Sequence, residues 1–197
     1  SPGKSIVITE TTKNAGGGIA DPSLTQFYIS DNSTLGPTDT VIGSRNVPAL
    51  AAGATSSGST TVTIPQGTAT DTWYIIAKAD ADGVVTEISE SNNTSSQLIK
   101  IGTDLSIAAF SAPTTASAGQ SIVISDTIKN AGGGTTEPSL TGFFFSANSA
   151  LDASDTLLGS RNVPALAAGA TSSGSTTVTV PQGAATDTWY IIVKADA

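Results

Sequence analysis

The sequence predicts an all-β chain built as two antiparallel β-sandwiches in tandem. Apolar residues alternate at period 2 in short runs, each run broken by Gly, Pro, Asn or Asp, which is strand patterning. No segment carries helical periodicity of useful length; Ala49–Ala54 is too short and contains Gly53. Residues 1–81 and 117–197 also align without a gap at a spacing of 116, with 60 of the 81 pairs identical. That period exceeds solenoid units and matches a small domain able to enclose its own core.

Taken in order, the first copy begins with Ser5–Lys13, where Ile6 and Ile8 share one face. The turn Asn14–Gly18 leads to Leu24–Ser30, and Asp31–Asp39 leads to Thr40–Val47. Pro48–Gly53 precedes Ser59–Ile64, and Pro65–Asp71 precedes Thr72–Ala79, the most apolar run. Val84–Ile88 reads as a further strand, followed by the turn Glu90–Asn93 and Ser95–Ile101. The second copy gives Leu105–Phe110, Ser121–Lys129, Leu140–Ser146, Thr156–Val163, Ser175–Val180 and Thr188–Ala195. Gly43–Thr63 recurs unchanged as Gly159–Thr179. About seven short strands per ~100 residues, with turns every 8–12 residues, is sandwich spacing.

The domains expected are therefore 1–101, without an opening strand, and 104–197, without its closing strand or strands. A sandwich short of a strand presents unpaired backbone groups. An arbitrary boundary within a longer array accounts for this; so does a neighbouring chain that adds the strand. The joint Gly102-Thr103-Asp104 is short enough to restrict the freedom of successive modules.

Composition excludes several chemistries. Cys, Met and His are absent, so there is no disulfide, thiolate or imidazole chemistry. Only 12% of residues are charged and the net charge is −8, which disfavours nucleic acid and anionic membranes as partners. No apolar run approaches the ~20 residues of a membrane span.

Several landmarks resemble a known family. They are Asp104-Leu105, Ala118–Ile124, Lys129-Asn130-Ala131-Gly132, Leu151-Asp152, Ser154–Ser160, Val163–Gly169, Val180-Pro181 and the aromatic strand Trp189–Asp196. In that order they resemble the CARDB module, a cell-adhesion-related domain of bacteria and archaea. Its closing signature is present once, as Asp80–Asp82, Glu87, Glu90, Asn92 and Asn93; Gly36-Pro37 departs from the Asp152-Ala153 of the second copy. The resemblance implies an immunoglobulin-like sandwich in an extracellular, often repetitive surface protein, with no shared catalytic residue.

Asp80, Asp82, Glu87 and Glu90 cluster around Gly83, and such oxygen-rich loops suit Ca²⁺, although the spacing is not that of an EF-hand. An Asp-Gly turn flanked by solubilising acids explains the same residues. Calcium is thus the one cofactor the sequence suggests. Asp152–Asp155 reads as a turn. Asn32, Asn92 and Asn93 each open an N-x-S/T sequon in a turn. Glu10 and Asp126 fall in apolar rows, so each calls for a bulge, a rim position or a partner such as Lys13 or Arg45. Trp73-Tyr74 and Trp189-Tyr190 read as core packing with sugar stacking as the alternative, and Tyr74, Ile76 and Lys78 are expected on the more exposed face. Asn14–Gly18 reads as a flexible turn, since no Lys-Ser/Thr and no helix follow to make a phosphate loop.

These features predict a non-enzymatic, extracellular or cell-surface repeat protein: a stalk, an adhesin arm or a filament. Its partners would be neighbouring copies of the module or chain, or surface polysaccharide, with no nucleic acid and no membrane insertion in this segment. Two other functions fit the residues, namely polysaccharide-binding modules of a secreted enzyme and a filament subunit joined by strand donation.

Overall fold

Hydroxyl-bearing and apolar residues alternate along most of the chain, and the fold sorts them onto opposite faces of its sheets. The computed structural model describes residues 1–197, with strands and turns and no helix. It divides into two compact units, Ser1–Gly102 and Thr103–Ala197.

The first unit contains β1 (Ser5–Lys13), β2 (Ser23–Ser30), β3 (Thr40–Val47), β4 (Thr55–Thr63), β5 (Asp71–Lys78) and β6 (Thr94–Ile101). β1 pairs with β4, and the second sheet runs β3-β2-β5-β6. The second unit contains β7 (Leu105–Ser111), β8 (Ser121–Asn130), β9 (Ser139–Ser146), β10 (Thr156–Val163), β11 (Thr171–Thr179) and β12 (Tyr190–Ala195). Its sheets run β11-β8-β7 and β10-β9-β12. All pairs are antiparallel. β7 has no counterpart in the first unit and β6 none in the second, so the two copies together display seven distinct strands in a three-plus-four arrangement.

The core of each unit lies between its two sheets. Ile29, Ile64, Ile75 and Ile101 form the first, with Ile6, Ile8 and Trp73 packed against them. Ile122, Ile124, Phe143, Phe145, Val178 and Val180 form the second. A bulge on β3 adds one residue between the partners of Phe27 and Tyr28, and the added residue, Ile42, packs on the core. β10 repeats the bulge between Leu157 and Gly159. An extra residue of this kind re-aims side chains locally.

The outward faces of β1 and β4 carry hydroxyls in opposing pairs: Thr9 with Ser59 at 3.0 Å and Thr11 with Ser57 at 2.8 Å. β8 and β11 repeat this with Ser125–Ser175 at 2.7 Å and Thr127–Ser173 at 2.8 Å. These ladders extend β4 and β11 back to Thr55 and Thr171, four residues before the starts expected from sequence. Thr-Ser-Ser-Gly has the composition of a turn, but cross-strand hydroxyl pairs make it a strand.

Three expectations are corrected. Val84–Ile88 is not a strand. Asp80, at φ 44°, turns the chain, and its carboxylate accepts the N–H groups of Val84 (3.1 Å) and Val85 (3.3 Å) that a ladder would have used. β12 starts at Tyr190, leaving Trp189 just outside it. Tyr74, Ile76 and Lys78 do share the face of β5 opposite Trp73 and Ile75, but Ile76 is not exposed on it. It is only 1% exposed, because Tyr28 on β2 and Ser96 on β6 flank it on a central strand.

Candidate functional site

The two acids in apolar rows are resolved by pairing. β1 and β4 stay in register from Ser5 to Lys13, with Glu10 opposite Gly58 and no bulge. Glu10 therefore faces inward at mid-strand, neither bulged out nor at a rim. Arg45 reaches across from β3 on the other sheet, donating Nε–H to Glu10 Oε1 at 2.6 Å, with Nη2 also in ion-pair contact. Its remaining N–H groups go to Ser56 Oγ (3.1 Å), Ser56 O (3.1 Å) and Asn46 O (3.4 Å). Lys13 is exposed at the end of the strand.

The second unit repeats the arrangement more tightly. Arg161 donates from Nε to Asp126 Oδ1 at 2.9 Å and from Nη2 to Asp126 Oδ2 at 2.5 Å, a two-pronged contact. The Asp126 side chain is fully buried. Its hydrogen bond holds the Arg161 guanidinium pKa above the ordinary arginine value, against the opposing effect of burial. Glycine makes room in both copies. A Cβ at Gly58 would lie 2.6 Å from Arg45 Cδ, and one at Gly174 2.5 Å from Arg161 Cδ. Each arginine thus lies flat across a glycine to bridge the two sheets.

The Asn-Ala-Gly-Gly-Gly turns are more than flexible connections. Asn130, fully buried, donates from Nδ2 to Gly134 O (2.6 Å) and Leu166 O (2.9 Å). Its Oδ1 accepts N–H from Gly132 (3.0 Å) and Asp104 (3.1 Å). Asn14 does the same work with Gly18 O, Leu50 O and Gly16 N. The Asn–Gly spacing signals a turn but does not reveal which remote carbonyls the amide will satisfy.

The acids suggested for calcium divide into separate jobs. Asp80 is buried and caps the Val84–Val85 backbone, whereas Asp82 Oδ1 accepts the Leu24 N–H at 3.2 Å. Glu87 and Glu90 are brought together, but around an amide: both accept from Asn93 Nδ2, at 2.6 and 3.0 Å. No group of three or more acidic side chains converges as a metal cage would require. The same bonds engage the Asn93 nitrogen that a glycan would need. Asn92 is exposed, and Asn32, also exposed, donates to Asp31 Oδ1 at 2.8 Å. Asp152 closes a turn with Ser154, whose hydroxyl and N–H lower the carboxyl pKa.

The tryptophans sit differently in the two copies. Trp73 packs against the first core and donates Nε1–H to Ala69 O at 3.0 Å. Trp189 makes the equivalent bond to Ala185 O and stacks on Phe145, with ring centroids 4.5 Å apart. No helix is long and apolar enough to cross a membrane.

Comparison with known proteins yields one family: the CARDB model matches residues 1–97 and again 102–197. No curated protein matches. Among solved structures, a red sea bream transglutaminase aligns at 11% identity and a TM-score of 0.45, over 98% of this chain and 27% of its own. The secreted serine protease VesC from Vibrio cholerae aligns at 12% identity and a TM-score of 0.32, over 100% of this chain and 48% of its own. A chaperone–tip adhesin complex of CFA/I fimbriae aligns at 14% identity and a TM-score of 0.29, over 99% of this chain and 93% of its own. The chain thus spans less than half the length of the first two structures.

Proposed function

Since this chain belongs to the CARDB family, an adhesion-related family, across both of its repeats, we propose that it is an extracellular structural or adhesive segment that supplies length and stiffness without catalysing a reaction. The observation that carries the reading is the duplicated cross-sheet ion pair, Glu10–Arg45 and Asp126–Arg161. Each copy ties its own two sheets together, so modules can be added without any one depending on a partner for its core. Pulling the chain by its ends in a force spectrometer should give two discrete unfolding events, each releasing one module's length. A single gradual extension would contradict the reading. In cells of the native organism, protease added outside should release the segment from the surface; protection from protease would place it elsewhere.

A second reading, assembly by strand addition, is favoured by a difference between the copies. β1 pairs only with β4 whereas its counterpart β8 pairs with both β11 and β7, and β12 pairs only with β9 whereas its counterpart β5 pairs with both β2 and β6. Concentrating the chain should then drive it into oligomers, and a chain that stays monomeric at millimolar concentration counts against this reading.

A further inference from the structure

A groove of about 350 Å³ opens in the first unit beside the base of the β2–β3 loop, and neither the ion pair nor the acidic loop uses it. That volume lies in the range of small-molecule sites, about 300–1,000 Å³. Its walls include Trp73, Ser30, Asp31, Asp39, Gln66 and Thr68, and no lysine or arginine. The Nε1–H bond to Ala69 O fixes the half-buried indole. Asp39 Oδ2 accepts the Gly36 N–H at 2.7 Å, and Asp31 Oδ1 accepts from Asn32. One oxygen of each carboxylate is thereby anchored, leaving the other to accept from a ligand.

We propose that this groove binds an amino-sugar unit of a glycan, deepening the adhesive reading by naming what is held. A pyranose offers an apolar ring face to the indole and hydroxyls to the carboxylates. Its ammonium group would meet two carboxylates and an aromatic ring with no competing cation. A uronate in the same place would be repelled. The site belongs to the first copy alone. In the second, Ala147 replaces Asp31, and Phe145 replaces Ile29 and covers one face of Trp189.

The test uses the full chain carrying Trp189→Phe, which leaves Trp73 as the one indole reporter. Titration with a β-1,4-linked glucosamine tetramer should shift Trp73 emission saturably. Affinity should fall roughly tenfold or more in an Asp31→Asn/Asp39→Asn double variant. Asn retains an oxygen for the Gly36 N–H, and an unchanged melting temperature verifies the fold. A galacturonate tetramer should give no shift, and the N-acetylated tetramer should bind more weakly than the free amine. The proposal is overturned by no saturable shift up to about 10 mM, by undiminished affinity in the double variant, or by equal binding of either comparison sugar. None of these results bears on the force measurement, so the site and the structural role can fail separately.

Discussion

Thr141 marks a point where the two copies diverge in quality. Its counterpart Thr25 pairs its hydroxyl with Thr12 at 3.2 Å, and Thr12 in turn donates to Glu10. The second copy has Ile128 in place of Thr12, and the Thr141 hydroxyl is buried with no partner. A buried polar group without a hydrogen bond costs about 1–3 kcal/mol. Thr141→Val should therefore stabilise the second unit by about 1 kcal/mol, measurable by urea denaturation, whereas Thr25→Val should not stabilise the first. The ion pair gives a larger effect of opposite sign. Asp126→Ala strands a guanidinium between the sheets and should cost about 3–5 kcal/mol. Because pairing raises the Arg161 pKa, this guanidinium's contribution is present throughout the range below the free arginine value. It declines only above that value, so neutral-range pH changes should leave it intact. Strand alternation identifies Glu10 and Asp126 as needing a partner. It does not identify the partner, because Arg45 lies 35 residues away on the opposite sheet, while Lys13 is closer in sequence and exposed.

Elements defined by apolar alternation, such as β1, β3 and β8, are legible in the sequence almost to the residue. Those defined by polar contacts are not. The N-terminal half of β4 consists of hydroxyls and Gly58, and only the facing hydroxyls of β1 make it a strand. Val84–Ile88 errs in the other direction, since β-branched residues there are bent into a loop by the Asp80 carboxylate. Asn130 shows the same principle in the loop after β8. Asn130→Ala would leave the carbonyl of Gly134 and the N–H of Gly132 without their partner, whereas the Leu166 carbonyl keeps the Thr136 N–H. It should cost about 3 kcal/mol. Asn14→Ala should cost less, because Asn14 is only half-buried. Paired thermal melts of the two variants check the order.

At the level of the whole molecule, duplication at a fixed spacing is directly readable, and so is the number of cores. The groove beside Trp73 is not readable, because Asp31, Asp39 and Gln66 come together only when the β2–β3 and β4–β5 connections are brought side by side. Each unit holds its own core and its own arginine bridge. A destabilising change such as Asp126→Ala should thus lower only one of two calorimetric transitions, leaving the other where it was. If both transitions move together, the units share their stability. The hydroxyl ladders on the outward faces carry a consequence of their own. A cladding of neutral alcohol groups neither titrates nor gathers counter-ions, so those faces should keep the same outline in fresh water and in brine.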